Sequence, residues 1–243
     1  MESIIRGNAS IDTQRIVFSS TPYVAASGAT LVPFSIDGHP LYFQTPIVTC
    51  PVGFRIFEKS NHHKLMINPS DDMLRFVKEI DDCVIDNIMI YCDKWFNKNL
   101  GSREIIEALF YPSLKFNKNY PPSMNVRLRF SNDTGLPLFT VFDSSRNEIR
   151  FNSTDGPEKL MQLLKPKCQL RLIIGNASVW GVSGRYGYGW DCMQLQICAT
   201  SNLLCNVKEC LFFDMDDDAM VEEKHEDEQR DQQRGDSYYV DSV

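Results

Sequence analysis

The first part of the chain alternates short runs of β-branched and aromatic residues with proline, glycine and aspartate. Runs of this composition are typical of strands, and the punctuation between them is typical of tight turns. The pattern therefore predicts hairpins or a meander near the N-terminus. The predicted strands cover residues 14–18, 30–36, 41–48 and 53–57.

The period then changes from two to between three and four. From Met73 to Trp95 apolar residues recur at helical spacing, which predicts a long helix over residues 71–98, with Ser70 or Asp71 as its N-cap. A shorter helix is expected over residues 103–110, because Pro112 stops it.

Strand-like alternation returns at Met124. Val126, Leu128 and Phe130 share one face, so Arg127 and Arg129 are expected on the solvent face. Further predicted elements are strands at 138–143, 147–151 and 168–174, a helix at 155–164, a glycine-rich connection at 181–189 and a strand at 190–199. The order of elements predicts a mainly β, α+β domain over residues 1–213. Residues 214–243 are too charged to bury a core and are expected to be a disordered tail.

The net charge of −7 over 243 residues conceals two regions of opposite sign. The tail from residue 214 holds 12 acidic and 3 basic residues, net −9, which leaves +2 for residues 1–213. Residues 114–185 hold 11 basic and 5 acidic residues, net +6. A basic region of this kind keeps a polyanionic partner possible despite the acidic average.

The sequence shows no sign of an enzyme, a cofactor or a metal site. It has no phosphate-binding loop, nucleophile elbow or zinc-protease motif, and the glycines of 181–189 lead into a strand rather than a helix. The eight cysteines form no C-x-x-C pair, and the N-terminus lacks a signal-peptide pattern, so the expected setting is intracellular and reducing. The uncharged stretch 16–36 is interrupted by Ser, Pro and Gly, so no membrane partner is expected.

The predicted solvent faces suggest a nucleic-acid surface. Strand alternation places several cationic side chains on outward faces, and further cations lie nearby in sequence. Because phosphates are anionic, we assign these cations to phosphate binding: Arg127, Arg129, Lys165, Lys167, Arg171 and Arg185. Ordinary solvated positions on a half-exposed sheet explain the same pattern equally well.

The aromatic residues of the glycine-rich region have two interpretations. In a regular strand Tyr186, Tyr188 and Trp190 leave the core and offer stacking faces to bases. A glycine-induced bulge would reverse the alternation and send Trp190 into the core, which its context favours, and Trp180 fits either environment. Single strands are favoured over duplex, because duplex readers typically present a basic helix and the long helix here is acidic.

The acidic tail is expected to compete with nucleic acid for the basic surface and to dock partner proteins. A purely solubilising tail is the alternative. The tail residues assigned to partner binding are Asp216, Asp217, Asp218, Glu222, Glu223, Tyr238 and Tyr239.

Several short motifs resemble one family. They are Leu163 to Ile174, Val179-Trp180, Tyr186-Gly-Tyr-Gly-Trp190 with Gln194, Pro40-Leu-Tyr-Phe-Gln-Thr-Pro46, Pro51-Val-Gly-Phe54 and Tyr120-Pro-Pro122. The chain resembles the single-stranded-DNA-binding proteins of nucleocytoplasmic large DNA viruses, which are similar in turn to the replication SSB of short-tailed coliphages. The resemblance implies an OB-fold-like five-stranded barrel elaborated with one long helix and extra strands. It also implies ssDNA binding in replication, recombination and repair, with an acidic tail that recruits polymerase or primase.

One departure concerns the tail, since such tails usually end in an aromatic residue and here Tyr239 is followed by Val-Asp-Ser-Val. The resulting hypothesis is a non-enzymatic viral protein that coats and protects ssDNA. Its expected partners are ssDNA, replication proteins and, as one option, a second copy in a homodimer, in the host cytoplasm or nucleus. The alternative is a viral structural or scaffolding β-protein that acts through protein interfaces.

Overall fold

The computed structural model describes residues 4–6, 11–56, 62–152, 156–176 and 178–199. The chain divides into two units, Met1–Asn202 and Leu203–Val243, and all described residues belong to the first. The predicted disorder of residues 214–243 lies outside the described residues and stays a prediction.

Three α-helices occur in the described ranges: α1 (Asp71–Phe96), α2 (Arg103–Leu109) and α3 (Gly156–Leu163). All three were predicted. The Ser70 hydroxyl oxygen caps α1 by accepting a hydrogen bond from the Met73 N–H, and Asn97 ends the helix in the left-handed conformation. None of these helices is both long and apolar enough to cross a membrane.

The strands are short except for three. They are β1 (Ile5–Arg6), β2 (Ile16–Phe18), β3 (Tyr23–Val24), β4 (Thr30–Val32), β5 (Phe34–Ile36), β6 (Tyr42–Gln44), β7 (Val48–Cys50), β8 (His62–Ile67), β9 (Phe110–Tyr111), β10 (Leu114–Asn117), β11 (Tyr120–Arg129), β12 (Thr140–Phe142), β13 (Cys168–Asn176), β14 (Val179–Val182), β15 (Arg185–Gly187) and β16 (Trp190–Ala199).

Within the described ranges these strands form a branched nine-stranded sheet, a five-stranded sheet and a two-stranded sheet. The long strands β11, β13 and β16 each pair with three others along their length, which curls the large sheet into a half-barrel. The five-stranded sheet has the order β3-β4-β14-β15-β9. The predicted mainly β architecture with one long helix and extra strands is confirmed, and the large sheet is a half-barrel of nine described strands.

Helix α1 covers the inner face of the large sheet. Phe76 of α1 stacks on Phe43 of β6 with ring centroids 4.0 Å apart, and it also contacts Trp190 of β16 at 6.3 Å. Most of the apolar positions predicted for this helix are therefore buried, since burial of one helical stripe is what stabilises the packing, whereas Tyr91 is exposed.

The strand predicted at 53–57 does not form over residues 53–56, because its backbone bonds to a turn instead. Gly53 has φ +70°, a value that favours glycine, and a Cβ there would lie 2.7 Å from the Leu164 carbonyl oxygen. The Phe54 N–H donates to that same oxygen at 3.0 Å. This contact fixes the turn that leads into β13.

A bulge in β16 corrects the prediction for the aromatic residues. Ile173 pairs with Gln194 and Ile174 with Cys192, so Met193 is an extra residue that reverses the alternation. Trp190 and Cys192, which alternate with the outward Asp191 before the bulge, therefore point inward and are buried. Tyr186 on β15 and Tyr188 between β15 and β16 are buried as well. The core interpretation of Trp190 is confirmed. The prediction that Tyr186, Tyr188 and Trp190 offer stacking faces is wrong, and the bulge lies at Met193 rather than at the glycines.

Candidate nucleic-acid interface

The outward face of β11 carries two arginines that share one carboxylate. Arg127 Nε lies 2.7 Å from Asp191 Oδ1, and Arg129 Nη2 lies 2.6 Å from Asp191 Oδ2. Asp191 belongs to β16, and strand register places it directly beside Arg127. Two cations on one anion leave a net positive charge, so this triad both fixes the guanidinium groups and keeps the face attractive to phosphate.

Arg127 is the more enclosed of the two arginines. Burial lowers the pKa of its guanidinium, although Asp191 acts in the opposite direction. Its Nη2 has no hydrogen-bond partner among the described residues. Gly189 allows this position, since a Cβ there would come within 3.0 Å of the guanidinium carbon. The arrangement holds a charged donor ready for an anionic or acceptor group.

A cleft of about 220 Å³ lies where the two larger sheets meet beside Arg127. Three cations line it, Lys64 of β8, Lys115 of β10 and Arg127 of β11, together with the rings of Tyr111 and Trp180. Register pairs Lys64 directly with Arg127 across the two strands. We call this feature the ring cleft, because it combines positive charge with aromatic surface.

Strand pairing brings together Tyr111 and Trp180, the two rings of the ring cleft that are not buried. Tyr111 of β9 and Trp180 of β14 flank Gly187 of β15 in one row. Their ring centroids lie 6.4 Å apart at 47°. Gly187 is required here, since a Cβ on it would lie 2.7 Å from the Trp180 ring. The Lys115 ammonium sits 5.7 Å from the Tyr111 ring centroid, a cation–π distance that keeps charge next to the aromatic surface.

The hairpin formed by β10 and β11 extends this surface. Phe116 is 73% exposed and Tyr120 is 72% exposed. Lys115 and Lys118 lie on the same hairpin, and both are exposed. Large exposed aromatic side chains next to lysines place planar apolar surface beside positive charge.

Behind the ring cleft lies a buried polar cluster. Asp81 of α1 faces the Tyr188 hydroxyl and Ser113, and the Tyr188 hydroxyl also neighbours the Trp190 indole. Burial raises the pKa of Asp81 to about 6, although the neighbouring Tyr188 and Ser113 act in the opposite direction. Burial also raises the pKa of Tyr188 well above its usual range. Since Ser113, Tyr188 and Trp190 line the ring cleft, this cluster supports its floor.

We expect Asp81→Asn to stabilise the protein increasingly as pH rises from about 4 to 7, by on the order of 3 kcal/mol in total, because a shift of one pKa unit is about 1.4 kcal/mol. The folded pKa is raised, so the contribution of the protonated carboxyl is fully present below the unfolded value of 3.8 and is lost as pH passes about 6. Urea unfolding at low and neutral pH measures this. Asp93→Asn, at an exposed position of the same helix, is the control. Equal effects of Asp81→Asn at both pH values would contradict it.

The remaining predicted cations are spread over other parts of the surface. Arg171 lies on the outward face of β13 and lines a separate cavity. Lys165 and Lys167 are exposed in the turn before β13, where the Lys167 N–H donates to the Cys50 carbonyl. Arg185 is exposed on β15, and its Nη1 donates to the Ala108 carbonyl at 3.3 Å. The structure therefore places Arg127 and Trp180 in the ring cleft and joins Arg129 to Arg127 through Asp191, whereas the other four cations do not line the cleft.

The sequence-based reasoning did not find Lys64, Tyr111 or Lys115. Lys115 had a signal, because it falls in the basic region that starts at residue 114. Tyr111 and Lys64 had none, because β9 has two residues and β8 lies in a segment without a recognised strand pattern. The predicted tail residues from Asp216 to Tyr239 lie outside the described part of the chain.

No protein-family model matches the chain, and no curated protein matches its sequence. The single-stranded DNA-binding protein from bacteriophage Enc34 has a similar solved structure, at 9% identity over 78% of this chain and 94% of that chain, with a TM-score of 0.43. That protein in complex with ssDNA gives 11% identity over 72% and 93%, with a TM-score of 0.42. The single-stranded DNA-binding protein gp2.5 of bacteriophage T7 gives 10% identity over 70% and 98%, with a TM-score of 0.39.

Proposed function

We propose that this chain is a non-enzymatic protein that binds single-stranded DNA through the ring cleft and the adjoining outward face of the large sheet. One observation carries the proposal: Lys64, Lys115 and Arg127 line the same cleft as the rings of Tyr111 and Trp180. Cations that track a phosphate backbone, together with rings on which bases stack, are the two components of sequence-tolerant single-strand binding.

Single strands fit this site better than duplex. Stacking on Tyr111 or Trp180 needs a base whose face is free, which a duplex does not offer. Duplex readers generally insert a basic helix into the major groove. The first turn of α1 is acidic, and its Asp82 and Asp86 pair with Arg103 of α2. The long helix is therefore unsuited to contact phosphate.

The proposal extends to the biological setting and to residues 214–243. The protein would coat and protect ssDNA in viral replication, recombination and repair, as expected for the SSB family of nucleocytoplasmic large DNA viruses. The tail would compete with DNA for the ring cleft and recruit a polymerase or primase, since its net charge of −9 is opposite to that of the cleft. Lys165, Lys167 and Arg185 would add phosphate contacts outside the cleft.

We expect oligo(dT) binding to weaken with salt and to tighten when residues 214–243 are deleted. Each phosphate contact on a single strand contributes about −0.7 to the slope of log affinity against log salt, so the three cleft cations alone give a slope near −2. Titration by fluorescence measures both effects. Trp180 is the half-buried tryptophan of the three, whereas Trp95 and Trp190 are buried, so quenching reports on the ring cleft.

A mobility shift that compares ssDNA, duplex DNA and RNA is the control for the class of nucleic acid. Binding that ignores both salt and the tail deletion would refute the electrostatic part of the proposal. Equal affinity for duplex DNA would refute the role of the rings, because paired bases cannot stack on them.

The second candidate function is a structural protein that assembles through subunit contacts. It is favoured by exposed apolar side chains on α1, where Met89, Ile90 and Tyr91 are not covered. Light scattering separates the two functions: a large closed assembly that nucleic acid does not alter supports the structural one.

A further inference from the structure

A second cavity of about 290 Å³ lies on the same outward face of the large sheet as Arg127 and Arg129. Amide and guanidinium groups dominate its walls, and one aromatic ring and one aliphatic side chain complete it. We call it the glutamine pocket; its lining residues are Gln44, Gln194, Gln196, Arg146, Arg171, Phe142 and Ile173.

Strand register builds this pocket across four strands. One row of paired residues runs Gln44, Ile173, Gln194 over β6, β13 and β16. The next row runs Arg171, Gln196, Phe142 over β13, β16 and β12. Because the bulge at Met193 reverses the alternation in β16, the feature that buries Trp190 also turns Gln194 and Gln196 outward.

The polar groups of the glutamine pocket retain unused hydrogen-bonding capacity. In the described part of the chain, no carboxylate pairs with Arg146 or Arg171, whereas Arg127 and Arg129 share Asp191. Gln196 Nε2 donates to the Asp143 carbonyl oxygen at 3.4 Å, which leaves Gln196 Oε1 as an acceptor. The nearby Asp143 carboxylate accepts bonds from Asn147 and is thereby occupied.

Guanine matches this set of groups. A guanidinium group donates two hydrogen bonds to the O6 and N7 atoms of guanine, and this is the commonest specific contact between proteins and bases. Glutamine oxygens accept from the N–H groups of guanine, and a ring such as Phe142 provides a stacking face. Adenine carries an amino group in place of O6, and thymine lacks N7, so neither presents the same pair of acceptors. A phosphate would use the arginines but not the ring or the amide oxygens.

We propose that the glutamine pocket receives a guanine base of the bound strand and gives this protein a preference for guanine at one position. This inference rests on the proposed ssDNA-binding function and deepens it. From strand rise and spacing, Arg171 lies roughly 16 Å from Arg127 along the same face, because Arg127, Asp191 and Gly175 form one row and Arg171 follows four residues away on β13. One strand of a few nucleotides can span both sites, within the site sizes known for OB-folds.

The test compares oligo(dT) of about 12 nucleotides with the same oligonucleotide carrying one central guanine, adenine or 7-deazaguanine. We expect the guanine oligonucleotide to bind about tenfold more tightly than oligo(dT), since one bidentate base contact discriminates by about 1 to 3 kcal/mol. Adenine is expected to gain less than guanine, because a glutamine can pair with its N6 and N7 atoms but it lacks the O6 acceptor for the arginines. 7-Deazaguanine is expected to lose most of the gain, because it lacks the N7 acceptor.

Variants assign the preference to the pocket. Gln194→Ala is expected to abolish the guanine preference while oligo(dT) affinity changes by less than about threefold. Arg171→Gln is expected to abolish the preference too, and also to lower oligo(dT) affinity, because it removes a positive charge from the DNA-binding face. Gln169→Ala is the matched control, because Gln169 is exposed on the same strand and does not line the pocket. Circular dichroism confirms that each variant is folded.

The outcomes separate the two proposals. Equal affinity for guanine and thymine oligonucleotides, with salt-sensitive binding retained, overturns the pocket and leaves the proposed function intact. A guanine preference that persists in both pocket variants also overturns it. Failure to bind any oligonucleotide overturns the proposed function itself, and the glutamine pocket with it.

Discussion

Alanine at both Tyr111 and Trp180 is expected to weaken oligo(dT) binding by on the order of a hundredfold or more, because each stacked base contributes about 1 to 3 kcal/mol. The two rings flank Gly187 in one row and line the cleft that holds Lys64, Lys115 and Arg127. Removing both rings leaves the cations in place, so the salt dependence should persist while the affinity falls. This combination of effects distinguishes stacking from electrostatic attraction.

Fluorescence anisotropy of a labelled oligonucleotide measures this loss, since the double variant lacks the tryptophan that reports on the cleft. Tyr91→Ala is the control, because Tyr91 is an exposed ring on α1 that does not line the ring cleft. Lys115→Ala should reduce the salt slope by about one phosphate contact and leave stacking intact. If the double variant bound as tightly as the unchanged protein, the ring cleft would not be the DNA site.

Trp190→Ala is expected to lower the free energy of unfolding by about 3 to 5 kcal/mol, the range for removing a large aromatic side chain from a core. Trp190 is 1% exposed, and its ring contacts Phe76 of α1 and Tyr188. It also pairs in register with Val126 of β11, so its loss leaves a cavity between the helix and the centre of the large sheet. The effect acts on folding, not on stacking with bases.

Urea unfolding measures the change, and Trp190→Phe, which keeps most of the ring volume, is the matched control with a smaller expected loss. At temperatures where Trp190→Ala remains folded, its oligo(dT) affinity should change far less than that of the Tyr111 and Trp180 variant. If Trp190→Ala left the stability unchanged but greatly reduced the affinity for oligo(dT), Trp190 would be a DNA-binding residue rather than a core residue.

The elements that were predicted accurately are those determined by residues close together in the sequence. Helix α1 was predicted almost to its ends, because its apolar spacing, its Ser70 cap and its acidic first turn all lie within one segment. The outward positions of Arg127 and Arg129 were likewise predicted, since neighbouring residues in a regular strand alternate. Both depend only on residues close in the chain.

The predicted alternation of β16 was wrong because one extra residue shifts the inward and outward positions by one. Met193 has no partner on β13, and this reverses which side of the large sheet Trp190, Asp191 and Cys192 face. No feature of the sequence around Met193 distinguishes it from its neighbours, because a bulge is set by the hydrogen-bond register with another strand. Tyr186 belongs to β15, which pairs with β14 and β9, so its burial is also set by strand pairing and was out of reach of pattern analysis.

The order of apolar and charged residues along the chain was sufficient to predict a mainly β fold with one amphipathic helix. It also revealed a basic region of net charge +6 and a tail of net charge −9. It did not reveal that Lys64, Tyr111 and Trp180 converge on Arg127, or that three glutamines meet around Arg171. These side chains come together only through hydrogen-bonded pairing between strands that are far apart in the sequence. A one-residue shift in any pairing would place different side chains together.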